Sequence, residues 1–144
     1  MNARPLNEVV LLFPTPVASD GTGGPGTSPG RTGGMNLRTA VTTLPKNVDL
    51  VQDWVDFEPA IRRQEALSGR EAPIPTELGP RGGRRLTARF AEWLMWIPEG
   101  HVTDVPGLTR SEQLQRIGNG AVPIQAYAAY KHLLQQINRN EDDA

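Results

Sequence analysis

Gly118, Asn119, Gly120 and Val122, followed by Pro123, are residue types that can present bare backbone donors to an anion. Glycine tolerates positive φ, and asparagine tolerates it better than most residues. Pro123 suits a first helical position, where its missing N–H would have had no partner. A helix starting there has an N-terminus that could receive a carboxylate or phosphate. The same residues also read as a well-punctuated corner between two helices, and spacing alone does not separate the readings. A second cluster lies upstream. Arg81, Arg84, Arg85 and Arg89 fall within residues 81–89 with no acid among them. As a loop, this segment could bring guanidinium groups to phosphates while its glycines let backbone approach closely. Its alternative is a solvated basic linker.

Several chemistries are excluded by composition. The chain has 144 residues and no cysteine, so it holds no disulfide, no thiolate metal site and no cysteine nucleophile. His101 is a lone histidine without a second ligand nearby, and His132 reads as surface, so no metal site is expected. The Gly-rich stretch at residues 19–34 is followed by no Gly-Lys-Ser/Thr sequence, and no Gly-x-Gly-x-x-Gly stands between a strand and a helix. The formal net charge is −1, but Glu141, Asp142 and Asp143 crowd the C-terminus while the arginines gather mid-chain. That asymmetry permits a nucleic-acid contact on one face. No apolar run is long enough to span a bilayer. The short apolar run at residues 9–13 is closed by Pro14 and Pro16 without a small-residue cleavage site, which argues against a signal peptide. A cytoplasmic protein without membrane contact is expected.

The elements that must position these residues are unevenly legible. Residues 8–13 form one plausible strand, apolar enough to need cover on both faces. Residues 19–34 are dense in Gly, Pro, Ser and Thr and read as a flexible loop. Leu37, Ala40, Val41 and Leu44 suggest one short turn or strand. Residues 49–68 look helical, with Leu50, Val51, Trp54, Val55, Ile61 and Leu67 as apolar members, Pro59 breaking or restarting the helix, and Gly69 ending it. Trp54 and Phe57 read as core rather than as base-stacking platforms. Residues 70–85 are again rich in Pro and Gly. Thr87 is a good N-cap for a helix over 88–96, whose Phe90, Trp93, Leu94 and Ile97 sit at helical spacing. Thr109 and Glu112 make a capping-box pattern opening a helix over 110–117. After the Gly118–Gly120 corner, residues 122–138 are the strongest helix, with Ile124, Tyr127, Ala128, Leu134 and Ile137 on its inner side and a fraying polar tail beyond.

Two segments carry a family pattern. Arg85-Leu86-Thr87-Ala88-Arg89-Phe90, continuing through Glu92-Trp93-Leu94-Met95 to Pro98-Glu99-Gly100, resembles the ninth conserved motif of cytosine-5 DNA methyltransferases. Arg110, Gln113-Leu114 and Ile117-Gly118-Asn119-Gly120-Ala121-Val122-Pro123-Ile124-Gln125-Ala126 resemble their tenth and last motif. Order, separation and position near the C-terminus fit. Leu12-Phe13-Pro14-Thr15-Pro16-Val17-Ala18-Ser19-Asp20-Gly21 and the region from Trp54 to Thr76 are similar to stretches of bacterial and phage-borne members. The resemblance implies base-flipping chemistry, in which a cysteine thiolate adds to an extruded cytosine and S-adenosylmethionine methylates carbon 5. It implies that Gly118, Asn119, Gly120 and Val122 form a wall of the S-adenosylmethionine pocket. It also implies that Arg81, Arg84, Arg85, Thr87 and Arg89 belong to the DNA-facing region and its base.

The departures are as informative. The family's Cys nucleophile, its Phe-x-Gly-x-Gly cofactor strand, its Glu-Asn-Val and its Gln-x-Arg-x-Arg are all absent from this sequence. Without a thiolate, ring attack has no evident agent. The resemblance therefore implies a C-terminal component, or a remnant, of a restriction-modification type enzyme. It would be inactive alone, and would meet S-adenosylmethionine only with a complementing catalytic chain. The expected fold is α+β. Its C-terminal half is mainly helical, its N-terminal half is loop-rich, and the doubly wound catalytic sheet is missing. The expected divisions are a degenerate target-recognition-like segment at 1–84, a helical region at 85–138 and an acidic tail at 139–144. The alternative is a non-catalytic DNA-binding or decoy module. A helix–turn–helix reading of 110–117 and 122–138 is disfavoured, because the second helix opens with apolar residues and a recognition helix needs polar reach.

Overall fold

The computed structural model describes residues 13–22, 35–45 and 54–142, with side chains to residue 139. The fold is mixed α+β. Among the described residues, two 3₁₀ turns, Ala18–Asp20 and Val55–Phe57, accompany five α-helices and one hairpin. The elements are α1 (Leu37–Thr43), α2 (Glu58–Ser68), β1 (Thr76–Leu78), β2 (Arg84–Leu86), α3 (Ala88–Leu94), α4 (Arg110–Asn119) and α5 (Pro123–Asp142). Most of the strand expected at 8–13 lies outside the described residues, and Phe13 itself is in neither helix nor strand. Of the loop expected at 19–34, residues 19–22 belong to an ordered turn in which Asp20 and Gly21 are buried, and 23–34 lie outside. A side-chain contact explains the order: Asp20 Oδ2 accepts from the Val17 N–H at 2.8 Å and closes the turn.

The segment at 37–43 is a helix, not a strand or a single turn. Leu37, Ala40, Val41 and Leu44 recur at the helical period, and all four are buried. Asn36 caps α1 by accepting from the Thr39 N–H at 2.8 Å. In α2, Pro59 stands in the first turn and Gly69 closes the helix in left-handed geometry, φ 66°, donating to Glu65 O at 2.8 Å. Ile61 is buried, whereas Val55 and Leu67 are exposed, contrary to the expectation that they join the apolar side. Leu50 and Val51 lie outside the described residues.

The supposed linker at 70–85 contains the antiparallel hairpin β1–β2, with Thr76 opposite Leu86 and Leu78 opposite Arg84. Its connection, residues 79–83, is a three-residue turn at 80–82 closed by Gly79 and Gly83. Gly82 donates to Gly79 O at 2.9 Å and Gly79 donates to Gly83 O at 2.8 Å, while Gly82 takes φ 73°. A turn followed by a left-handed residue is a common three-residue hairpin solution, and Pro80 fixes its first dihedral. Buried Leu86 joins the hairpin to the core, and β2 packs on α1. Arg84 Nη1 donates to Leu44 O at 2.9 Å and ties the hairpin to the end of α1.

The core is aromatic at its centre. Phe13 stacks on Phe57 with centroids 3.9 Å apart and meets Trp54 and Phe90 edge-on. Trp93 extends the cluster beside Phe90. Thr87 caps α3 as expected, accepting from the Phe90 N–H at 3.3 Å and donating its hydroxyl proton to Ile74 O at 2.6 Å. The helix ends earlier than expected, at Leu94. Trp96 takes φ 61°, an uncommon region for a bulky residue.

The capping box of α4 forms as expected. Glu112 N–H donates to Thr109 Oγ1 at 3.3 Å, and Thr109 N–H donates to Glu112 Oε2 at 2.8 Å. These bonds from the Thr109 hydroxyl and backbone hold the Glu112 carboxyl below its ordinary range, burial opposing weakly and Arg116 assisting. A carboxylate lowered on folding contributes stability that is full above the unfolded value and lost as pH falls through the folded one. We expect Thr109→Ala to cost about 1 kcal/mol in urea titrations near neutral pH. The deficit relative to wild type should shrink on acidification, as the wild type loses the same interaction.

Candidate functional site

The end of α4 and the start of α5 differ from the expected tight corner. Gly118 and Asn119 are helical, and Gly120 is extended at φ −76°, so none of these residues uses positive φ. Close approach explains Gly118 instead. A Cβ there would collide with the backbone of Val17 and Ala18. Gly21 plays the matching part at the other end of α4, where a Cβ would stand 2.6 Å from Ser111 O. Ser111 Oγ donates to Gly21 O at 2.6 Å. The 3₁₀ turn is thus laid directly against α4, with a glycine at each point of contact.

Asn119 and Gly120 are exposed, while Val122 is half-buried against the core. Val122 lines a groove of about 270 Å³ together with Phe13, Ile61, Met95, Trp96 and Ile124. From this groove α5 leaves the body. The residues expected on its inner side are exposed: Ile124 46%, Tyr127 68%, Leu134 50% and Ile137 52%, and Ala128 is exposed too. Tyr130 and Leu133 share this exposure. At 100° per residue, Ile124, Tyr127, Tyr130, Leu133, Leu134 and Ile137 occupy one half of the helix, and Gln125, His132, Gln135, Gln136 and Arg139 the other. The period was legible, but the described residues supply nothing to cover that face. The helix also runs on to Asp142 rather than fraying after 138.

The basic cluster is largely engaged within the protein. Arg84 donates from Nε and Nη2 to Thr76 Oγ1 at 3.2 and 2.9 Å, in addition to its bond to α1. Arg85 Nε lies 2.8 Å from Glu77 Oε1, although its N–H is not aimed at the carboxylate. Arg89 pairs with Asp104 at 2.7 Å and lies 3.7 Å from Glu99. Thr87 serves as a helix cap. Arg81, exposed on the hairpin loop, makes no hydrogen bond or ion pair with the described residues. His101 is exposed in a turn, and His132 Nε2 lies 3.0 Å from Gln136 on α5. No metal-ligating group of side chains occurs among the described residues, and no helix there is long and apolar enough to cross a membrane.

Two arginines matter that sequence reasoning passed over as site residues. Arg110, the first residue of α4, donates from Nε to Leu86 O at 2.7 Å and lies 3.4 Å from Glu77 Oε1. Its Nη2 is buried without a partner. Burial lowers its pKa first, the nearby Arg85 and Arg38 lower it further, and Glu77 opposes them. Arg38 of α1 is 8% exposed, and its Nη1 is likewise buried without a partner. An arginine between Leu37 and Ala40 gives a signal only once the segment is known to be a helix packed on β2. Comparison with protein-family models, with curated proteins and with solved structures finds no match.

Proposed function

We propose that the chain is the C-terminal component of a cytosine-5 DNA methyltransferase, contributing DNA contacts and a closing helix but no nucleophile. The observation that carries this reading is α5. A 20-residue helix whose apolar half is exposed along its length gains little from its own backbone bonds and needs a partner surface. It starts immediately after Gly118, Asn119, Gly120 and Val122, the residues whose resemblance is to the wall of an S-adenosylmethionine pocket. On this reading, the apolar half of α5 seats on a catalytic part carrying the cysteine and the cofactor strand. S-adenosylmethionine then binds at the junction and not to this chain alone.

The test is to combine the chain with a catalytic methyltransferase part that lacks its own last two motifs, and to measure methyl transfer to cytosine in duplex DNA. Stable association and a gain in methylation are expected. Tyr127→Glu and Leu134→Glu on α5 should abolish both. No complex and no gain in activity would remove the proposal. A second reading, a non-catalytic DNA-binding or decoy module, is favoured by Arg81, which stands unpaired at an exposed loop. Under that reading the chain binds duplex DNA alone, with affinity falling steeply as salt rises.

A further inference from the structure

Three guanidinium groups converge from three elements of the fold: Arg38 from α1, Arg85 from β2 and Arg110 from the start of α4. Helix α1 packs on β2, and Arg110 Nε bonds the backbone at the end of β2, so the three elements meet at one place. Among the described residues, one carboxylate serves the group. Arg85 and Arg110 both approach Glu77 Oε1, at 2.8 and 3.4 Å. Arg38, 8% exposed, makes no hydrogen bond or ion pair with its side chain among the described residues. Arg38 Nη1 and Arg110 Nη2 are buried without an acceptor, and the N–H of Arg85 Nε, 2.8 Å from Glu77 Oε1, is not aimed at that oxygen.

Buried polar groups are almost always hydrogen-bonded, and buried charges are paired. Arg38 has no charge partner among the described residues, and Arg38 and Arg110 each keep a buried N–H that no described residue accepts. An anion that accepts several hydrogen bonds and donates none would satisfy these groups together. A phosphate group meets all three conditions, and its oxygens match the planar fork of a guanidinium. Access is from the Arg110 side: Arg110, though neither Arg38 nor Arg85, lines an open cleft of about 360 Å³ with Glu77, Thr87, Arg89 and Gln113. We propose that Arg38, Arg85 and Arg110 form a phosphate-binding site, whose ligand is a backbone phosphodiester of duplex DNA. Only the identification of the phosphate as DNA rests on the functional reading above; the site itself rests on the unsatisfied guanidinium groups.

The test uses the full chain. Thermal unfolding is followed with and without inorganic phosphate against chloride at matched ionic strength, and fluorescence anisotropy follows a short labelled duplex across a salt series. Variants are Arg38→Met, Arg110→Gln and Arg110→Lys, with Arg63→Gln, an exposed arginine of α2, as the charge-matched control. Phosphate should raise the wild-type midpoint more than chloride does and should fail to do so in Arg38→Met and Arg110→Gln. Duplex binding should weaken similarly for unrelated sequences, with the slope of log K against log salt falling by about one per arginine removed. Arg110→Lys should keep the slope but lose affinity, and Arg63→Gln should change neither. Ligand-free Arg38→Met should unfold at the wild-type midpoint or above it, because an unpaired buried charge has been removed.

The outcomes separate the two ideas. Duplex binding with an unchanged slope in the Arg38 and Arg110 variants overturns the site and leaves DNA binding standing. Phosphate stabilisation lost in the variants, with no duplex binding by wild type, keeps the site and removes DNA as its source. No effect of either ligand on wild type, or a lowered midpoint in ligand-free Arg38→Met, overturns the site.

Discussion

Gly118→Ala is expected to destabilise the protein by about 3 kcal/mol or more, at the upper end for overpacking. The added methyl would run into backbone atoms of Val17 and Ala18 rather than into the movable end of a side chain. No rotamer change relieves a clash between a Cβ and a main chain. The 3₁₀ turn Ala18–Asp20 must lift from α4, taking Phe13 and its aromatic contacts with it. Alanine has the higher helix propensity, so the change would raise stability by about 1 kcal/mol if Gly118 were an ordinary helical glycine. The sign of the effect is therefore diagnostic. Urea titration measures it, and Gly120→Ala is the comparison. A Cβ at Gly120 meets its nearest atom, Ile117 O, at 3.3 Å, and the backbone there is extended, so a loss well below that of Gly118→Ala is expected.

The second large effect concerns Glu92. This carboxylate is 2% exposed, and the described residues place no cation on it. It is held by donors from the following loop. Val102 N–H and Thr103 N–H reach Oε1 at 2.6 and 3.1 Å, and Gly100 N–H and the Thr103 hydroxyl reach Oε2 at 3.0 and 2.8 Å. Each of its two oxygens therefore accepts from two donors. Glu92→Ala would leave four donors facing a cavity, and a loss of about 4 kcal/mol is expected by chemical denaturation. Glu92→Gln should be milder, about 2 kcal/mol, because its amide nitrogen can only oppose two of those donors. Hydrogen exchange at Gly100, Val102 and Thr103 locates the damage. Those amides should lose protection in both variants before the amides of α2 do.

These two residues mark where local sequence logic runs out. Thr87, Thr109 and Gly69 were legible because a cap is chemistry between near neighbours, and the structure forms all three as read. Phe90 and Trp93 were legible because their spacing matches one helix face, whereas Ile97, also buried, lies beyond the end of that helix. Gly118 was not. Its small size answers a segment about a hundred positions earlier, and sequence alone suggested freedom in φ, which the structure does not use. Glu92 was silent because its partners are backbone amides, which leave no residue-type signature. The hairpin escaped because its strands are three residues long and lie among prolines and glycines that ordinarily mark loops. The basic run suggests either a phosphate-facing loop or a solvated linker, yet pairing with Glu77 and Asp104 and the bonds of Arg84 tie most of it to the protein. Arg38 and Arg110, far apart in sequence, carry buried N–H groups that no described residue accepts, whereas Arg81 of the run is exposed. For α5 the amphipathic period was read correctly, but the helix faces away from this chain's own core.

The bond from Ser111 to Gly21 spans 90 positions, and it bears on how the chain reaches its native state. Contacts so distant in sequence reward the chain only after a long loop has closed, and they slow folding. Helices α3 and α4, the loop that Glu92 gathers and the hairpin are nearly contiguous and can assemble among themselves first. The segment 13–22 must then arrive from the opposite end of the chain and slot between Ser111 and Gly118, bringing Phe13 to complete the aromatic cluster. Until it docks, Leu114 and Ile117 lack their full cover. Two glycines, Gly21 and Gly118, make room for that contact between distant parts of the chain.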